Sequence, residues 1–161
     1  MNRAVTQIHR RVGTFSAIAG LACMVGLSAC GGPDAGPEEQ LRQWVSLAVN
    51  AAETKSRREL IGMISPAYSD SRGSERDDIE NMLRAYFFRQ SGITLLANID
   101  EIRVFGESAA EIELTVGMAG KNNSVFGFSA DAYKFELELE SEDGDWQLIS
   151  ARWGELGEEL H

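Results

Sequence analysis

The feature that most constrains this chain is a change of hydrophobic period near Thr94. Before it, apolar residues recur at three- and four-residue spacing. After it, they alternate. The first pattern puts side chains on one face of a helix and the second on one face of a strand. Three helices are predicted. The first spans Glu38 to Thr54, with Leu41, Trp44, Val45, Ala48 and Ala52 on one face, Pro37 at its start, and Glu38 and Glu39 at the positive end of its dipole. The second runs from Arg57 to Ser65, with Ser56 and Glu59 as a capping box and Pro66 as its stop. The third runs from Glu75 to Gln90, with Ile79, Met82, Leu83, Tyr86 and Phe87 in one stripe and Gly92 as its C-terminal stop.

Four strands follow. They are Thr94 to Phe105, least defined from Leu96 to Asp100; Ala110 to Met118; Tyr133 to Glu140; and Trp146 to Trp153. Glu107-Ser108 and Glu142-Asp143-Gly144-Asp145 read as hairpin connections. Clean alternation, as in Ile112, Leu114 and Val116 against Glu111, Glu113 and Thr115, implies a sheet with one dry face and one wet face. The expected class is therefore α+β, three helices packed on one face of a mainly antiparallel four-strand sheet. Ala119 to Ala130 is the one long irregular connection. Its Val125, Phe126 and Phe128 either form an exposed rim or extend the strands into the core.

The N-terminus has a separate logic. Arg3, His9, Arg10 and Arg11 precede an uncharged apolar run from Val12 to Leu27. That is the layout of a secretory signal, too short and too glycine-rich for a good membrane span. The run Leu27-Ser28-Ala29-Cys30 resembles the lipobox of bacterial lipoproteins. The resemblance implies removal of residues 1–29 and lipidation of Cys30. Each buried CH₂ of an acyl chain contributes about 0.8 kcal/mol, so two or more chains hold a protein stably on a membrane. Gly31 follows the cysteine where an aspartate would signal inner-membrane retention. The expected address is the outer membrane, facing the periplasm. Gly31 to Pro37 is a linker reaching at most about 25 Å, and residues 38–160 form the single domain.

Composition then excludes several functions. Loss of Arg3, Arg10 and Arg11 leaves 12 basic against 25 acidic residues, a formal net charge of −13. Phosphate recognition needs a basic footprint, so a nucleic-acid partner is not expected. With Cys23 in the leader and Cys30 lipidated, no thiol remains for a disulfide, a metal or a nucleophile. His161 is the one remaining histidine, which argues against zinc sites and histidine-based triads within one chain. No metal or other cofactor is implied.

Three helices followed by this sheet resemble the nuclear transport factor 2-like superfamily, the cone-shaped fold of ketosteroid isomerases and scytalone dehydratases. The residues carrying the resemblance are the Ile64-Ser65-Pro66-Ala67-Tyr68-Ser69-Asp70 turn and the closing Asp145-Trp146-Gln147-Leu148 strand that ends Ala151-Arg152-Trp153. It covers Glu38 to Trp153 and transfers no single function. Dehydratase-like chemistry in that superfamily uses histidines, which the domain lacks apart from His161. Isomerase-like chemistry uses an aspartate base and a tyrosine in an apolar pocket. Tyr68, Tyr86, Tyr133, Asp70 and Asp100 are of the right types, but no spacing identifies a set, so no catalytic residue is assigned.

The candidate ligand-binding residues are Tyr68, Tyr86, Phe87, Phe126, Phe128 and Trp153. Phe88 falls off the helix stripe toward a second surface. Alternation sends Arg152 and Trp153 to opposite faces without saying which is inside. Glu136, Glu138 and Glu140, with Glu111 and Glu113 across from them, read as a solvated face rather than a calcium site, because adjacent like charges repel. The expected function is a non-catalytic module for a small apolar ligand or an envelope protein partner. The alternatives are a lyase or isomerase with a carboxylate base such as Asp70 or Asp100, and a structural subunit of an envelope complex.

Overall fold

The computed structural model describes residues 35–122, 128–142 and 144–161, with the backbone alone at 121, 122 and 128–130. The leader, Cys30 and Phe126 lie outside them. The helices are α1 (Pro37–Glu53), α2 (Arg57–Gly62) and α3 (Arg76–Arg89). The strands are β1 (Gln90–Phe105), β2 (Ala109–Asn122), β3 (Phe128–Glu142) and β4 (Asp145–Glu155). They form one antiparallel meander in the order β1-β2-β3-β4. The α+β class and the four-strand antiparallel sheet are as expected from the sequence.

Pro37 opens α1 at a position where its missing N–H costs nothing. The helix ends on Lys55, held at φ +57°, with Ser56 N–H donating to Ala51 O at 2.7 Å and Lys55 N–H to Ala52 O at 3.1 Å. Glycine usually takes such a left-handed position. Here the lysine side chain has a compensating use: Nζ donates to Gln90 O at 2.9 Å and Phe87 O at 3.4 Å, at the C-terminus of α3. A cation there offsets the negative end of that helix.

Several expected boundaries move. α2 ends at Gly62, not Ser65, because residues 63–69 pair with the edge of β4. Leu148 N–H donates to Met63 O at 2.9 Å, Ser65 N–H to Leu148 O at 2.9 Å and Ser69 N–H to Ile149 O at 3.1 Å. Pro66 disfavours helical backbone at Ser65, which agrees with this extension. Ser56 makes no side-chain cap on α2. The capping box instead opens α3, where the Asp78 carboxylate accepts from Glu75 N–H at 3.0 Å. Gly92 is not a stop: Gln90 is already extended, and β1 starts there without a loop. Of residues 119–130, the described ones, 119–122 and 128–130, are strand. Ala119 pairs with Ala130, Gly120 with Ser129 and Lys121 with Phe128. Small residues carry no alternation, so their backbone pairing left no trace in the hydrophobic pattern.

Two bulges set which side chains face inward. In β1 the register shifts between Ile99 and Glu101, so Asp100 is an extra residue. The inward set Ile93, Leu95, Ala97 and Ile99 then continues as Ile102 and Val104. Ahead of that slip, Leu96 blurs the alternation because it is apolar yet faces outward. In β4 the shift leaves Ile149 extra, opposite Glu138 and Leu139, so Trp146, Ala151 and Trp153 all reach the inner side. Arg152 is therefore outside, paired with Glu136 on the wet face.

The core closes at one end of the sheet. Ile112 is fully buried, paired with Ile102 and Leu137, and Leu139 lies beside Ala110. Leu41 and Val45 of α1 and Ile61 and Ile64 seal this end. By contrast, α3 contributes no fully buried residue. Ile112→Ala should lower the unfolding free energy by about 2–5 kcal/mol in a denaturant titration. Leu96→Ala, at an outward side chain 79% exposed, should change it by less than about 0.5 kcal/mol.

Candidate functional site

Beneath α3 the sheet is not filled. A cavity of about 450 Å³ lies there, open on one side. Its roof is the inner stripe of α3: Ile79, Met82, Leu83, Tyr86 and Phe87, with Arg89 at the helix end. Its floor comes from Ile93 and Leu95 of β1, Met118 of β2, and Tyr133 and Phe135 of β3. Tyr68, Leu148, Ala151 and Trp153 close the far wall. Within that stripe Ile79 and Leu83 also pack against the core, and Met82 is 47% exposed.

Four of the sequence-selected residues, Tyr68, Tyr86, Phe87 and Trp153, line this one cavity. Phe128 has its backbone in β3, and its side chain lies outside the described residues, as does all of Phe126. Phe88 points away and is 86% exposed. Tyr133, Phe135, Met118 and Arg89 were not selected. The two β3 aromatics alternate inward, so their period was readable, but only the gap above them turns a core position into a lining one.

Besides the packing of Ile79 and Leu83 on the core, polar contacts tie α3 toward its two ends. Arg76 donates to Ile61 O from Nη2 at 2.8 Å and Nε at 3.3 Å. Glu80 meets Arg57 at 3.3 Å. Lys55 holds the other end through the two carbonyls named above. Such clamps position a helix over a space without filling it.

The turn residues Tyr68 and Asp70 are both buried, 3% and 7% exposed. Asp70 Oδ1 accepts from Ser74 N–H at 2.8 Å and Arg72 N–H at 2.9 Å, the pattern of an aspartate-closed turn. Its Oδ2 faces the Tyr68 hydroxyl at 3.5 Å. Burial, and then the Asp70 charge, push the Tyr68 phenol well above its ordinary value. Arg72 stacks on Trp153, 4.5 Å from the ring centre, and donates to Trp153 O at 3.2 Å. The backbone of His161 also brackets Trp153, with N···O distances of 3.1 and 3.3 Å. The wall made by Trp153 is thus fixed from three sides.

No carboxylate lies among the described lining residues. Asp100 sits on the opposite, wet face, accepting from Asn98 at 2.6 Å and Thr115 at 2.8 Å. On that face Arg103 reaches Glu101, Glu111 and Glu113 at 2.6, 2.8 and 3.2 Å, and Lys134 meets Glu113 at 3.0 Å. The hydrogen bond from Lys134 holds the Glu113 carboxyl below its usual range. The carboxylate rows are therefore laced by basic residues.

A second groove, about 480 Å³, lies between α1, α2 and the β3–β4 turn. Its lining is more mixed, with Gln40, Gln43, Asn50 and Gln147 beside Leu47 and Met63. Trp146 is tied there by Nε1 to Gln40 Oε1 at 3.0 Å.

Comparison with solved structures decides the architecture. A protein from Novosphingobium aromaticivorans proposed to be a scytalone dehydratase superposes with a TM-score of 0.67 at 13% identity, covering 73% of this chain and 83% of that one. A nuclear transport factor 2-like superfamily protein from Salmonella enterica serovar Typhimurium gives 0.62 at 14% identity, covering 74% and 90%. The fold is nuclear transport factor 2-like. A ketosteroid isomerase-like protein from Erwinia carotovora atroseptica superposes at 0.61 with 12% identity, covering 74% and 96%. No protein-family model and no curated protein sequence matches the chain. At these identities the nuclear transport factor 2-like likeness concerns the backbone alone.

The raised Tyr68 phenol has a consequence for stability. The native state keeps this proton above pH 10, about where an unfolded tyrosine loses it. Unfolding free energy should therefore fall as pH rises past 10, and Tyr68→Phe should make that fall shallower in alkaline denaturation curves. Asp70→Ala should cost about 1–3 kcal/mol by leaving the two backbone donors unpaired.

Proposed function

We propose that this chain is a lipoprotein held by lipid on Cys30 to the periplasmic leaflet of the outer membrane. Its nuclear transport factor 2-like domain serves as a non-catalytic binding module for a small, mostly apolar ligand. The observation that carries this reading is the 450 Å³ cavity with an apolar, aromatic-rich lining free of carboxylates among the described residues. Binding sites for small molecules have this volume and character. Asp70, the one buried acid among the described residues, is occupied by backbone donors.

The second reading is a lyase or isomerase. It is favoured by the named activities of the structural neighbours, a dehydratase and an isomerase-like protein. In that case Asp70 beside Tyr68 would be the available base. The reading that the domain contacts an envelope protein through Phe126 and Phe128 rests on side chains outside the described residues.

Native mass spectrometry of residues 31–161, released gently from a periplasmic extract, tests the binding module. A discrete added mass on the monomer is expected. A bare monomer, together with turnover of a candidate substrate that Asp70→Asn abolishes while the protein stays folded, would favour the enzyme. Cys30→Ser should release the protein from membranes. If it still pellets with them after a salt wash, the lipid-anchor proposal fails.

A further inference from the structure

The cavity carries polar groups at two places. Tyr68 is at the inner end, sealed and directed at Asp70. Tyr86, Tyr133 and Arg89 are at the other. Arg89 sits on the last turn of α3, with an exposed side chain that also lines the cavity. Such a side chain lays its stem along apolar surface and keeps its head in water.

Most cations of the described domain are engaged. Arg42, Arg57, Arg84, Arg103, Lys134 and Arg152 form ion pairs. Lys55, Arg72 and Arg76 donate to backbone carbonyls. Among the described residues, Arg89 and Arg58 make neither an ion pair nor such a carbonyl contact. Arg58 does not line the cavity.

We propose, resting on the cavity reading above, that the ligand is an amphiphile with an apolar body under α3 and a single anionic head that meets Arg89 at the rim. At the rim the described lining offers two phenols, Tyr86 and Tyr133, and a guanidinium, with no carboxylate to receive a cationic head. The Tyr86 phenol is pushed up by burial and by Asp131, against the lowering effect of Arg89, so it remains a donor within reach of both charges. The carbonyl end of α3, which would repel an anion here, is neutralised by Lys55. The opposing groups are Asp131 and Glu155, both exposed and neither lining the cavity. The net negative charge of the domain acts over distances that salt screens, about 8 Å at physiological ionic strength. A rim cation acts at contact.

Dodecanoate and dodecanol share a chain and differ in the head. Binding of each to residues 32–161, which form one compact unit, can be measured by calorimetry at neutral pH below micelle-forming concentrations. Dodecanoate should bind about three- to tenfold more tightly, the size of a partly exposed charged contact. Arg89→Gln should remove that preference and leave dodecanol unchanged. Arg58→Gln should alter neither, and Asp131→Asn should strengthen dodecanoate alone. Equal affinities, or a preference that survives Arg89→Gln, overturn the anionic head and leave the cavity reading standing. Binding of neither amphiphile overturns both.

Discussion

The inner face of the sheet is longer than the helix packed on it. β1 has 16 residues, or about 50 Å at 3.3 Å per residue. α1 has 17 residues, or about 25 Å at 1.5 Å per residue. One helix cannot cover that strip, and the six-residue α2 adds little. The rest of the fold follows from this mismatch. One end closes around Leu41, Ile112 and Leu139, and the other is left to α3, which spans it rather than filling it. The cavity lies between that end of the sheet and α3.

The roof is held by polar contacts toward its ends and by Ile79 and Leu83 packed on the core. Arg76 and Glu80 tie the start of α3 to α2, and Lys55 ties its end to the turn after α1. Lys55 accepts a left-handed backbone conformation for this role, which costs a non-glycine residue of order 1 kcal/mol. Ile79 and Leu83 add apolar contacts to the core, and Met82, Tyr86 and Phe87 line the cavity beside them. The wall opposite is fixed by Arg72 stacked on Trp153 and by the returning C-terminus. Rigid walls around apolar space suit binding, because little ordering is left to oppose it.

The periods of the apolar residues made the helices, the strands and their order legible. They could not show what depends on backbone pairing. The segment after Gly62 turns toward the edge of β4 through hydrogen bonds between distant residues. The long β2–β3 hairpin uses alanine, glycine and serine, which carry no hydrophobic alternation. The bulges at Asp100 and Ile149 decide which side chains face inward. Without the second, alternation would not tell Arg152 from Trp153. Of the site, the α3 stripe and the Tyr68–Asp70 turn could be read, but a stripe looks the same whether it packs on a partner or on a void. Arg89 could not be singled out, because its distinction is that other basic residues have partners.

The central claim is that ligand enters under α3 and not into the groove beside α1. Three methionines report on this: Met82 and Met118 line the cavity, and Met63 lines the groove. Methyl NMR of the domain during a dodecanol titration separates the two sites in one experiment. Saturable shifts of Met82 and Met118, with Met63 unmoved, are the expected result. A shift of Met63 alone, or of none of the three, would contradict the cavity as the binding site.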